Sequence, residues 1–546
     1  MSKGWLAIVL HAHLPYVRHP EHDNFLEELW FYEAMAETYL PLLRMLSRLE
    51  DDGVDYKLLL SLSPTLVAMM EDELLQERFS RHLGKVVRLA DQVEGQAPVG
   101  SQRRRLARFH ADFYRDALFW FEEKCGRRVA PAFAGLARHG NLDIIACGAT
   151  HGFLPILSQN PAAVRAQILA ARDCHQMTFG FRPDGLWLPE CAYYPGVEKF
   201  LAEAGFAYSF LDSHGIENAD RAPARGLYAP ICTREGVAFF GRDRETSLQV
   251  WSAEQGYPGH PDYREFYRDM GFELPAEQLA EFIIDKRIRV NTGLKFNRIT
   301  SRQGGEKDFY YPEAAREQAA RHAEHFLETR LRQMERLTQD RDERPPLIVA
   351  PYDAELFGHW WFEGPLFLDY VFRKIHYDQE VVKCLTPAGY LRLFPENQHA
   401  NPAGSSWGGN GTYEFWINPD NQDIIPMLHQ AADRMGEAIL DLSSPESLRK
   451  WEGKDGGDDV LGPANEAAKQ MLRELMLAQA SDWPFIIRAG TCQDYARRRL
   501  RDHLNRFWAL SRMLAEGWVD ADVLAAIQQA DNIFPNCDLN WYRADL

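Results

Sequence analysis

Short apolar runs bounded by polar loops recur through most of the chain, and each is followed by a stretch with helical spacing. The runs are Trp5–Leu10, Lys57–Leu62, Leu142–Cys147, Gly185–Leu188, Phe206–Leu211, Val237–Phe240 and Leu347–Ala350. Runs this short, ending in loops and alternating with helices, predict buried strands of a parallel α/β sheet, and their repetition suggests a barrel. The clearest unit is 185–211: a strand, the turn Pro189-Glu190, helical spacing over Val197–Ala204, then Gly205 before the next strand. Between Glu71 and His139 charge is high, the period is helical and strand candidates are missing, which predicts a helical insertion over 71–139. The Pro/Gly/Ser stretch Asn401–Ser406 marks a boundary. Beyond Asp420 the pattern is helical (Met427–Leu442, Ala464–Ala480, Arg498–Ala515), broken by a turn-rich stretch over 443–463. The expected organisation is a barrel from 1–70 and 140–400, the insertion 71–139, and a C-terminal all-α domain over 401–546.

Composition narrows the partners. With 61 basic and 79 acidic residues the formal charge is −18, which argues against nucleic acid; the basic runs Arg103–Arg105 and Arg497–Arg501 read as solvated helix faces. No apolar stretch approaches a membrane span, and the run Trp5–Leu10 is too short for a signal sequence. Eight scattered cysteines without a C-x-x-C pair suit reduced thiols, so a cytoplasmic location is expected. The 14 Trp, 21 Tyr and 31 Phe, several of them in Gly- and Asn-rich loops, favour a ligand with flat apolar faces such as a sugar.

In parallel barrels the reactive side chains come from the loops that follow the strands. Here those loops read His11-Ala12-His13, Ala149-Thr150-His151, Pro189-Glu190-Cys191, Asp212-Ser213-His214 and Pro351-Tyr352-Asp353. Cleaving a glycosidic bond needs one carboxyl group to protonate the leaving oxygen and another to meet the oxocarbenium-like centre. In a retaining enzyme the two lie roughly 5–5.5 Å apart. Glu190 as nucleophile and Asp353 as acid/base fit that requirement, whereas a lone acid in a loop is ordinarily a solvated one. His11 and His13 alternate and could bind a metal with His151, Asp212 or His214 as a further ligand; hydrogen bonding to sugar hydroxyls is the preferred reading, and no metal or other cofactor is expected. Trp407 and Trp416, set among small residues in 405–416, are expected to be sugar-stacking platforms or, in the alternative, a plug between domains.

The segments HAHLPY (11–16), ATHGFLP (149–155), GLWLPECAY (185–193), APYDAELFGHWWFEGP (350–365) and SSWGGNGTYEFW (405–416) resemble the ordered motifs of glycoside hydrolase family 57. Within that family, QASDWPF (479–485), TGLKFNRIT (292–300) and the stretch 239–269 resemble the 1,4-α-glucan branching subgroup. The resemblance implies a (β/α)7 barrel with a helical insertion and a helical C-terminal domain over the active site. It also implies retaining chemistry with Glu190 and Asp353, and a cleft lined by His11, His13, His151, Arg264, Trp407, Trp416 and Asp482. The implied reaction cuts an α-1,4 link in a glucan such as amylose and passes the freed chain to a 6-hydroxyl, making an α-1,6 branch. An α-amylase or 4-α-glucanotransferase on the same scaffold is the alternative; a metal-dependent deacetylase and a non-catalytic glucan-binding protein are more distant ones.

Overall fold

A computed structural model describes residues 3–252, 256–282, 288–301, 306–339, 344–444, 451 and 461–543. Every one of the seven apolar runs contains a strand: β1 (Gly4–Ala12), β2 (Leu58–Leu62), β3 (Leu142–Cys147), β4 (Leu186–Trp187), β5 (Tyr208–Leu211), β7 (Ala238–Gly241) and β8 (Leu347–Asp353). Three short strands carry too little pattern to be read from sequence: β6 (Ile231–Cys232), β9 (Val382–Cys384) and β10 (Gln398–His399).

The order β4-β3-β2-β1-β8 is parallel throughout. A parallel bridge from Gly185 to Tyr208 continues it into β5, which pairs with β7. The Asp243 amide donates to the Val349 carbonyl at 2.9 Å, linking the end of β7 back to β8 and closing the ring of seven. β6 and β10 extend the β7 side, and β9 pairs with the first residues of β1. Helices cover the outside, as a parallel sheet buried on both faces requires.

Side-chain alternation sorts each strand into two cores. Ala7, Val9, Leu59, Ile145, Cys147, Trp187, Phe210, Phe240 and Val349 fill the barrel interior, while Leu6, Ile8, Leu10, Leu58, Leu60 and Ile348 join the outer core against the helices. This parity positions the site. His11 continues the inward series Ala7–Val9, Ser61 follows Leu59, and Asp353 follows Leu347–Val349. The register pairs His11 with both Ser61 and Asp353, so all three stand at one level near the C-terminal rim.

Residues 71–139 contain the helices Glu73–Gln96, Gln102–Phe119 and Val129–Ala137; Asp72 and Ser101 cap the first two by accepting from the amides of Leu75 and Arg104. The C-terminal stretch contains helices Ile424–Leu442, Gly462–Ala478, Asp482–Ala489, Gln493–Glu516 and Ala521–Ala530. Most of the turn-rich stretch expected over 443–463 lies outside the described residues. Among the described residues no helix is long and apolar enough to cross a membrane.

The loop after Asp353 is locked by Gly358, whose φ of 123° and close approach to the segment Met35–Tyr39 leave no room for a side chain: a Cβ would stand 1.8 Å from the Glu37 carbonyl oxygen. Gly358→Ala is therefore expected to cost at least about 2 kcal/mol of stability. It should lower the thermal unfolding midpoint measured by circular dichroism; an unchanged midpoint would show that this contact is not a constraint.

Candidate active site

Glu190 sits in the single turn Pro189–Cys191 that follows β4, with φ 61° at Glu190 and 48° at Cys191. A left-handed conformation is unfavourable for residues with a Cβ and persists where surroundings over-determine it. Here the Cys191 amide bonds the Leu188 carbonyl at 2.8 Å, and the Trp407 amide bonds the Glu190 carbonyl at 3.0 Å. Reciprocal backbone bonds between Tyr193 and Ser405, 2.8 and 3.1 Å, fasten the 405–416 loop alongside. The Glu190 carboxylate receives two donors: Trp407 Nε1–H at 2.9 Å on Oε2 and Ser481 Oγ–H at 2.9 Å on Oε1. Trp407 is partly exposed and packs edge-on against Trp187.

Ser481 and Asp482 come from the C-terminal helices. Their segment is tied to the barrel by an antiparallel bridge between Gly152 and Ala480 and by the Ser481 amide on the His151 carbonyl at 2.9 Å. Asp482 takes His13 Nε2 at 3.1 Å, and His13 Nδ1 lies 2.9 Å from Ser63 Oγ. His13 stacks on His151, ring centroids 3.8 Å apart, and His151 Nε2 faces His11 Nε2 at 2.9 Å. His11 lies flat on Trp187, 4.7 Å between centroids, with Nδ1 3.2 Å from Ser61 Oγ.

Electrostatics separate the two acids. Burial pushes the Glu190 pKa up, and the Trp407 and Ser481 hydrogen bonds pull it back. Asp353 is held well above the ordinary carboxylate range, first by burial, then by the charges of Glu355 and Glu190, with Arg242 opposing. Arg242 follows β7, bonds Asp212 at 3.4 Å and lies 5.4 Å over the Trp407 ring. Glu355, also raised by burial, accepts from the His13 amide at 3.2 Å and from the Tyr39 hydroxyl. Burial lowers His11 and His151 well below the usual imidazole pKa, so both are neutral.

Of the possible metal ligands, His11, His13 and His151 stack together, each with its ring nitrogens already hydrogen-bonded. His13 is engaged by Ser63 and Asp482, while Asp212 and His214 bond each other at 3.2 Å and His214 Nε2 holds the Gly411 carbonyl at 2.6 Å. His11, Cys147 and His151 do bring ligand-type atoms within 4.8 Å of one another, but the two imidazoles are already hydrogen-bonded and burial keeps the thiol protonated.

A family model for glycosyl hydrolase family 57 matches residues 7–401, and one for the C-terminal region of 1,4-alpha-glucan branching enzymes matches 427–542. The chain belongs to glycosyl hydrolase family 57. It is 32% identical to the 1,4-alpha-glucan branching enzyme TK1436 of Thermococcus kodakarensis, over 97% of this chain and 77% of that protein. Among solved structures, the alpha-amylase AmyC of Thermotoga maritima is similar at 38% identity and TM-score 0.89, covering 100% of this chain and 99% of that one. The family 57 branching enzyme of Pyrococcus horikoshii is similar at 32% identity and TM-score 0.85, covering 100% and 97%.

Of the residues singled out in this family 57 chain, Glu190, Asp353, His11, His13, His151, Trp407 and Asp482 gather in one group. Two do not. Trp416 is 1% exposed, stacked on Phe153 at 4.8 Å and covered by Gly408, so it fills the space beneath the loop and presents no face to a ligand. Arg264 is buried in an ion pair with Glu37 at 2.9 Å, its guanidinium 4.0 Å over Phe362. Glu37 also bonds His359 at 2.9 Å, so Arg264 braces the loop after Asp353 from behind. Sequence reasoning missed Ser481, Arg242, Glu355, Ser61 and Ser63. Arg242 had a usable signal, since it continues the inward parity of Ala238 and Phe240.

Trp407→Phe would keep the ring and remove the N–H donated to Glu190. A hydrogen bond to a charged group is worth about 1.5–3 kcal/mol, so turnover of glucan should fall at least about tenfold. Trp416→Phe should instead lower the melting midpoint. Equal turnover losses in the two variants would contradict this division.

Proposed function

We propose that this protein is a retaining transglycosylase that cleaves α-1,4 links in a glucan and transfers the freed chain to a 6-hydroxyl, forming α-1,6 branches. The observation that carries the chemistry is the unequal treatment of two buried carboxyl groups: Glu190 accepts from two neutral donors, while burial and the charges of Glu355 and Glu190 push Asp353 well above the ordinary carboxylate range. Glu190 attacks the anomeric carbon while Asp353 gives its proton to the departing O4, leaving a glycosyl ester on Glu190 and a shortened glucan. Asp353, now a carboxylate, takes the proton of an acceptor 6-hydroxyl, whose oxygen displaces Glu190; two inversions give net retention. His13, Asp482 and Trp407 line the glucan cleft, Trp407 offering it an aromatic face, while the buried His11 and His151 stand behind them.

Transfer to a sugar is supported by the match of residues 427–542 to the branching-enzyme C-terminal region and by the branching activity named for the relatives at 32% identity. A mainly hydrolytic reading has its own support in the likeness to AmyC at 38% identity. The two differ only in what takes the glycosyl group from Glu190, so exclusion of water decides between them.

The reaction needs Glu190 ionised and Asp353 protonated. The rate therefore falls as pH drops through the raised pKa of Glu190, and again as pH rises through the raised pKa of Asp353; glycosylation by a glycosyl fluoride donor, which needs no protonation, should lack the alkaline limb. The product test is incubation with amylose followed by proton NMR. The expected result is growth of α-1,6 anomeric signals with few new reducing ends. Reducing ends without branches would overturn the branching reading in favour of hydrolysis.

A further inference from the structure

We propose that Ser481 is a positioning residue, the last link of a one-way hydrogen-bond chain from Ser61 through His11 and His151 that ends on Glu190 and holds its carboxylate in place as an anion. The inference rests on the nucleophilic role proposed for Glu190.

The direction of the chain follows from counting protons. An ionised carboxylate only accepts, so Ser481 Oγ spends its single proton on Glu190 Oε1, 2.9 Å away. The contact of that same oxygen with His151 Nδ1 at 2.7 Å must then be donated by the imidazole. A neutral His151 protonated on Nδ1 carries a lone pair on Nε2, which faces His11 Nε2 at 2.9 Å, so His11 is the donor there. His11 is left with a lone pair on Nδ1, and Ser61 Oγ stands 3.2 Å from it. The two imidazoles are therefore fixed in opposite tautomers, His11 on Nε2 and His151 on Nδ1. A proton added to either would place a charge in a buried stack beneath His13, which their lowered pKa values oppose.

Each link is set by a different constraint of the fold. β1 and β2 bring His11 and Ser61 into register; the left-handed backbone of His151, φ 58°, aims its ring inward; the Ser481 amide on the His151 carbonyl fixes the last hydroxyl. Ser481 is thus a point where the C-terminal helices touch the nucleophile itself. The other ionisable groups facing Glu190 are Asp482, Asp353, His13, His151 at 3.7 Å, and the thiols of Cys147 and Cys191.

The test compares kcat and KM against pH for Ser481→Ala, Ser481→Thr, His151→Asn and His151→Gln, with Glu190→Gln as the control. Removing a donor from the carboxylate raises its pKa, so Ser481→Ala should move the acid limb to higher pH and lower kcat about 10–100-fold with KM little changed. Ser481→Thr, which keeps the hydroxyl, should restore the wild-type limb. His151→Asn places an amide donor where Nδ1 lies, and His151→Gln places one where Nε2 lies, so Asn should keep the wild-type limb and Gln should not. An unmoved limb in Ser481→Ala, or equal behaviour of the Asn and Gln variants, would overturn the chain. Wild-type turnover in Glu190→Gln would instead show that the nucleophile is misassigned, which separates the two failures.

Discussion

Desolvation raises the pKa of Glu190 and Asp353 together, while among the described residues hydrogen bonding reaches only the Glu190 side chain, and the proposed chemistry depends on that asymmetry. Trp407 and Ser481 both donate to Glu190, and a neutral donor lowers the cost of keeping a buried carboxylate ionised. Asp353 stands at the end of β8 between the charges of Glu190 and Glu355, with Arg242 alone among its neighbours favouring the anion. In the proposed mechanism this asymmetry prepares one group to attack and the other to give up a proton.

Three parts of the chain have to agree for this to hold. The alternation of side chains along parallel strands turns His11, Ser61 and Asp353 into the barrel at a common level. The left-handed turn at Glu190 lifts its side chain out of that alternation, and the 405–416 loop holds the turn through backbone bonds at Tyr193 and Glu190. The C-terminal helices then bring Ser481 and Asp482 onto the same histidines.

Much of this was legible in the amino-acid sequence, for physical reasons. Strands buried on both faces leave continuous apolar runs, so all seven barrel strands could be found, whereas β6, β9 and β10 are short and, unlike the equally short β4, lie in no continuous apolar run. Such runs do not say which side chains face inward, and the rule that chemistry follows the strand ends located His11, Glu190 and Asp353 instead. Asp353 proved to be the last residue of β8 and not a loop residue, because the strand continues through Pro351. The small residues around Trp416 suggest an accessible ring, but it is 1% exposed. Gly408 is needed because a Cβ there would lie 2.4 Å from the Trp416 ring. Ser481 left no trace beyond its place in a motif, since its contacts span 291 and 330 positions of chain.

The most direct test of the central claim is to trap the covalent intermediate. With Asp353→Asn, which cannot protonate a poor leaving group or activate an acceptor, and an α-maltosyl fluoride donor, which needs no protonation, the glycosyl ester should accumulate. Peptide mapping by mass spectrometry is predicted to find the maltosyl mass on Glu190 alone. An adduct on another carboxylate, or turnover of the donor with inversion and no adduct at all, would contradict the account.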